Sequence, residues 1–272
     1  MKPGLHPGLS RAAYEQVEGL NFSRLNFMDR SPAHYLQNLM HPKAPTPAMQ
    51  LGSAIHAAIL EPLKFNAEWV VAPKVDRRTN VGKAAWAKFE LENAGKGLMT
   101  ADDYDTCMGM AQAVYAHPVA EPLLSAEKRE TEVPAVWDAE GIPMKGCLDL
   151  LTSWDGFSWV CDVKSCRDAS EFWFAREAHK LRYHAQAAIY LDGLEAIQPY
   201  PRRFAWIAVE SEPPYAVCVY EPAGSVIDAG RALYRRWIER WKECTKAGRW
   251  PAYSERLEPL MFPEWALGRI EE

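Results

Sequence analysis

The chain has 272 residues, 48% hydrophobic and 25% charged, an ordinary globular composition with room for one sizeable core. Its formal net charge of −5 has the wrong sign for coating nucleic acid by bulk attraction, which argues against a histone-like or simple repressor role. It leaves room for an enzyme that grips a short stretch of backbone in a locally basic groove around metal ions.

The first part reads as helical. Ser31-Pro32 supplies an N-cap and a first-turn proline for a helix running to Met40. The stretch 41–47 (HPKAPTP) is a proline-rich connector. Ala48 to Leu60 then carries Leu51, Ile55, Ala58 and Ile59 on one helical face, stopped before Pro62. Residues 74–83 (KVDRRTNVGK) form a basic, poorly periodic loop, and 81–93 and 101–116 read as helices. Near residue 129 the character changes. Segments 129–138, 142–152 and 157–165 are three successive strands, punctuated by turn signals at 138–141 and at Asp155-Gly156. A helical stretch from about 168 to 196, broken near Lys180, leads to strands at 202–211 and 215–221 and a long helix from Ser225 to Ala247. This order predicts an α/β domain with a mixed central sheet flanked by helices and an N-terminal helical portion. The expected division is an N-terminal helical and linker portion (1–47), a catalytic core (48–220) and a C-terminal helix and tail (221–272), all in one domain.

Six cysteines without a CxxC pair predict reduced thiols. No run has signal-peptide character or the ~20 apolar residues that cross a bilayer, so a soluble cytoplasmic protein is expected.

The chemistry sits on the hairpin. A two-residue turn at Asp155-Gly156 pairs Trp154 with Phe157 and, further along the ladder, Asp149 with Asp162. Their Cβ atoms would then lie about 4.5–5.5 Å apart on one face, and Lys164, two residues on, would share that face. Opposed carboxylates between apolar neighbours are unfavourable, and a divalent cation such as Mg²⁺ resolves the conflict. A solvated surface hairpin is the plainer alternative. Beside a metal, Lys164 can favour hydroxide or stabilise charge developing on phosphorus, which points to in-line attack of water on a phosphodiester. If the preceding turn is Glu140-Gly141, Glu132 faces Asp149 and supports a second metal or its water shell; an edge-strand glutamate in solvent fits as well.

An Asp on one strand followed by Asp-x-Lys on the next resembles the core pattern of the PD-(D/E)XK nucleases. Two more segments narrow the resemblance. GSAIH (52–56) is similar to the GxxxH helix of the RecB-like and RecE-like branch, and YHAQAAIY (183–190) to its YxxQxxxY helix. The wording of 73–86 and 162–173 looks most like the exonuclease VIII (RecE-type) domain of phages and prophages. The resemblance covers roughly residues 48–196. It implies a restriction-endonuclease-like fold and one or two Mg²⁺ ions, replaceable by Mn²⁺, on His56, Asp149, Asp162 and the carbonyl of Val163. It further implies that Gln186 positions the scissile phosphate or a DNA end, with Tyr183 beside it. The implied activity is 5′-to-3′ digestion of linear duplex DNA by a ring-shaped homo-oligomer, a tetramer or a trimer, working with a single-strand annealing protein in recombination. An endonuclease or repair nuclease on the same fold, or a DNA-end-binding module without cleavage, are the alternatives. Arg77, Arg78, Lys145, Arg176, Lys180 and Arg182 are candidate backbone contacts, although each alone is more often a solvated surface charge.

Overall fold

The structure, a computed structural model, describes residues 1–262, so positions 263–272 of the expected C-terminal tail lie outside the described residues. In chain order the N-terminal portion holds β1 (Gly4–Leu5), α1 (Arg11–Gln16), α2 (Phe22–Leu25) with a following 3₁₀ turn, and α3 (Pro32–Met40). Then come α4 (Pro47–Leu60), α5 (Pro62–Glu68), β2 (Trp69–Val71), α6 (Asn80–Glu92), β3 (Gly97–Met99), α7 (Ala101–Ala116) and α8 (Ala120–Ser125). The sheet region comprises β4 (Arg129–Ala139), β5 (Ile142–Trp154), β6 (Phe157–Cys166), α9 (Glu171–Lys180), α10 (Tyr183–Ile197), β7 (Arg202–Glu210), β8 (Val217–Tyr220) and α11 (Gly224–Ala247).

Local chemistry explains the boundaries. Ser31 and Thr46 accept hydrogen bonds from His34 and Met49 N–H and start α3 and α4, each with proline in its first turn. Pro62, which cannot continue α4, opens α5 instead. Both hairpin turns hold positive φ at two consecutive residues, Glu140 and Gly141 at 54° and 84°, Asp155 and Gly156 at 50° and 76°. That is the twist-matched type I′ geometry that joins adjacent antiparallel strands.

The main sheet has six strands in the order β1-β4-β5-β6-β7-β8. All neighbours are antiparallel except β6 and β7, whose parallel pairing requires a crossover that α9 and α10 supply. One face packs on α10 and α11 through Leu148, Val160, Phe204 and Trp206. The other packs on α4, α7 and α8 through Leu150, Cys161, Val163 and Ile207. With apolar layers on both sides, the middle strands read as near-continuous hydrophobic runs. Helices α10 and α11 approach closely at Gly230, where a Cβ would sit 2.1 Å from the His184 carbonyl oxygen. The short parallel pair β2–β3 forms a separate two-stranded sheet. Among the described residues no helix is long and apolar enough to cross a membrane, and all six cysteines are free thiols.

Candidate metal and phosphodiester site

The register expected from Asp155-Gly156 is present, with Trp154 opposite Phe157 and Leu150 opposite Cys161. The ladder between β5 and β6 stops there, one residue short of the two aspartates. At the same level Glu132 takes a left-handed backbone (φ 49°), and the β4–β5 pairing skips from Thr131–Leu150 to Val133–Leu148. The alternation of faces along β5 breaks at this point, since Leu148 enters the α10-side core and Leu150 the α4-side core. The simple picture of Asp149 and Asp162 as an opposed pair on one face therefore needs correction. They meet across a gap where β6 parts from β5. Asp149 bridges it by accepting the Val163 N–H at 2.8 Å, taking the place of a ladder carbonyl.

Asp149 turns toward α4, where His56 Nδ1 lies 3.4 Å from its Oδ2 and 4.0 Å from Glu132 Oε1. Together His56, Glu132 and Asp149 present ligand atoms all within 4.8 Å of one another. Gly52, one turn earlier on α4, would place a Cβ in open space, so the approach to His56 is unobstructed on that side. Glu132, for which solvent and metal fitted equally well, belongs to the cluster.

Asp162 and Lys164 lean to the α10 side. The Lys164 ammonium sits 2.5 Å from Asp162 Oδ2 and donates to Gln186 Oε1 at 3.0 Å. Gln186 in turn donates to the Tyr190 hydroxyl at 3.2 Å, and the Tyr183 ring lies 4.6 Å from the Lys164 ammonium. The i, i+3, i+7 stripe of α10 is thus a bracket for one lysine. Tyr190 is buried, and its ring approaches where a Cβ on Gly146 of β5 would stand, 2.8 Å away.

Electrostatically the site wants positive charge. Asp162 is 1% exposed, and apart from the Lys164 ammonium neither carboxylate oxygen has a hydrogen-bond partner in the protein. Burial raises its carboxyl to about 6 despite the opposing pull of Lys164, and Asp149 adds to the rise. Burial and then Asp149 also raise Glu132, against the pull of His56. A buried carboxylate met by one ammonium alone, beside two further acids and a histidine, has the donor set of a divalent oxygen-and-nitrogen site, so these residues fit a metal.

Two of the other expected contacts, Lys145 and Arg182, are placed differently. Lys145 is buried at 2% exposure and donates to the carbonyls of Tyr14, Glu15 and Val17 at the end of α1; it is a structural cap, not a backbone grip. Arg182, expected at DNA, is committed to Asp29 and to the His179 carbonyl. Arg77 stacks at 4.1 Å on Trp86, and Arg78 pairs with Asp76 on an exposed loop. Arg176 and Lys180 are exposed on α9. Of Val163, the N–H is engaged by Asp149. Cys147 went unnoticed in the sequence. Its thiol, pushed up by burial and by Glu132, donates to Glu132 Oε2 at 3.5 Å. Its place two residues before Asp149, on the same side of the strand, was the available signal.

Comparisons with known proteins bear on the fold and the family. A crystal structure of a Eubacterium rectale protein described as a candidate exonuclease superposes with a TM-score of 0.59 at 10% identity, covering 98% of this chain and 100% of that one; at that identity the likeness is one of fold. A protein called SSO0001 (16% identity, 66% of this chain and 81% of that one) and VC1899 of Vibrio cholerae (10% identity, 84% and 57%) reach TM-scores of only 0.26 and 0.23. No curated protein matches the chain. A family model described as a PDDEXK-like domain of unknown function (DUF3799) matches residues 21–261, which takes in His56, Glu132, both aspartates, Lys164 and Gln186, and the chain belongs to that PDDEXK-like family.

Proposed function

We propose that this chain is a Mg²⁺-dependent deoxyribonuclease that hydrolyses phosphodiesters by attack of water. The observation that carries the reading is the fully buried Asp162, whose carboxylate meets Lys164 and no other protein donor, across from the His56, Glu132 and Asp149 cluster. His56, Glu132 and Asp149 from one side and Asp162 from the other would hold one or two ions, with the Val163 carbonyl as a further ligand. Bound Mg²⁺, or Mn²⁺ in its place, supplies a lowered water pKa and positive charge against the phosphoryl oxygens. Lys164, held by Gln186 and shielded by Tyr183, directs its ammonium to the attacking water or to charge developing on phosphorus. Gln186 orients that lysine and, with its remaining donor capacity, a phosphate oxygen. Arg77 and Arg78 are the loop cations available to the DNA backbone.

The finer reading is an exonuclease of the exonuclease VIII type, digesting linear duplex DNA 5′ to 3′ in phage-type recombination. It would act as a ring-shaped homo-oligomer, a tetramer or a trimer, with a single-strand annealing partner. Its support is the three-segment resemblance. A closed ring also suits an acidic chain, which can line a channel with a few cations without a basic exterior. The test is digestion of a linear duplex labelled at 5′ or 3′ ends beside a covalently closed circle, with Mg²⁺ or EDTA. Loss of the linear form from its 5′ ends, with the circle spared and Asp162→Ala inactive, supports the proposal. Cleavage of the circle makes the protein an endonuclease, and binding to ends without cleavage removes the catalytic assignment.

A further inference from the structure

The outer face of α9 carries a feature that the site does not use. Phe172 and Trp173 are 62% and 53% exposed, with rings 5.2 Å apart and nearly perpendicular at 79°. The Arg176 guanidinium lies 5.4 and 5.5 Å from the two ring centroids. Lys180 continues the stripe one turn further, and Arg167 enters the same open groove from the end of β6. Single exposed apolar residues are ordinary, whereas Phe172 and Trp173 form one contiguous aromatic patch under a shared cation. Among the described residues Arg167, Arg176 and Lys180 have no carboxylate partner. The inner face of the same helix reaches the site: Phe174 packs on Tyr183 at 6.4 Å, and Tyr183 lies under Lys164.

We infer that this face of α9 binds an unpaired stretch of the DNA substrate, its bases stacking on Phe172 and Trp173 and its phosphates meeting Arg167, Arg176 and Lys180. Free aromatic faces suit bases that are not already stacked in a duplex, and the three cations match a backbone rather than an apolar partner. Asp168, Glu171 and Glu177 also line the groove, so its net charge is near zero and stacking carries the affinity. Salt dependence is accordingly shallow, with a log–log slope of about 2 for three cations on a single strand. The inference rests on the nuclease reading only in taking DNA as the substrate, and binding is scored apart from cleavage.

The experiment uses the full chain in EDTA with a 20-nucleotide single strand carrying 2-aminopurine, and a blunt duplex of the same sequence. Binding of the single strand with 2-aminopurine quenching, both weakened about tenfold or more in the Phe172→Ala/Trp173→Ala double variant while duplex affinity changes less than threefold, supports the inference. Arg176→Ala should weaken the single strand and lower the salt slope by about 0.7. Equal single-strand binding by wild type and double variant, or an equal loss for both DNAs, overturns it. So does sedimentation showing that the double variant dissociates an oligomer, because α9 would then be a subunit contact. Cleavage of duplex ends with Mg²⁺ is measured in parallel on the wild type: its absence sinks the nuclease reading while the stacking result stands or falls by itself.

Discussion

Replacing Asp162 by asparagine should make the metal-free protein more stable while abolishing its response to metal. Burial lifts this carboxyl from an ordinary 3.8 to about 6, even with Lys164 alongside. A raised carboxyl means that the folded state holds its proton more tightly than the unfolded chain, so ionisation at neutral pH costs stability. At about 1.4 kcal/mol per tenfold in proton affinity, the full penalty is on the order of 3 kcal/mol. The sign follows directly: the penalty is absent below the unfolded value near 4, is about half developed at pH 5, and is complete above about pH 6. Asparagine mimics the neutral acid, so Asp162→Asn in EDTA should melt roughly 6–12 °C above wild type at pH 8, as an upper bound, and by about half that margin at pH 5. Adding Mg²⁺ should then raise the melting temperature of wild type and leave Asp162→Asn unmoved, because linkage stabilises only a folded state that binds the ion. Thermal melts by circular dichroism across pH 5–8 check both claims. A lower melting temperature for the variant at pH 8, or a margin that fails to grow from pH 5 to pH 8, would refute the view that burial outweighs the lysine.

Four other outcomes follow from the same geometry. Glu132→Gln and His56→Ala should each raise the Mg²⁺ concentration for half-maximal cleavage by roughly tenfold or more, with folding intact, as read by a metal titration of DNA digestion. Lys164→Ala should lower kcat by about 10²–10³ with substrate binding retained. Gln186→Ala, which only releases that lysine from its bracket, should cost less in kcat, and single-turnover kinetics would separate the two. Gly230→Ala forces a Cβ to within 2.1 Å of the His184 carbonyl oxygen. Backbone must shift there, and a loss of roughly 1–3 kcal/mol or more should appear as a lower melting temperature.

The hairpin shows how far local chemistry reaches. Asp155-Gly156 and Glu140-Gly141 specify type I′ turns, and the turns specify register, so Leu150–Cys161 and Val133–Leu148 were determined by residues adjacent in the chain. The starts of α3 and α4 were legible for the same reason, as caps and prolines act within one turn. The motif residues His56, Asp149, Asp162, Lys164 and Gln186 could be picked out from spacing together with family resemblance. What spacing could not supply was the break in β5 at Asp149, the left-handed Glu132 and the parting of β6. Those depend on two cores competing for the same strand, Leu148 for one and Leu150 for the other. The short elements β1, β2, β3 and α5 were equally hidden, because pieces of two to seven residues have no period and are held by long-range pairing. Charge gave the least guidance. Lys145 and Arg182 look like surface cations in sequence, yet one caps buried carbonyls and the other answers Asp29. A cation's partner comes from whichever segment packs against it, so its role is decided by the tertiary contact and not by its neighbours in the chain.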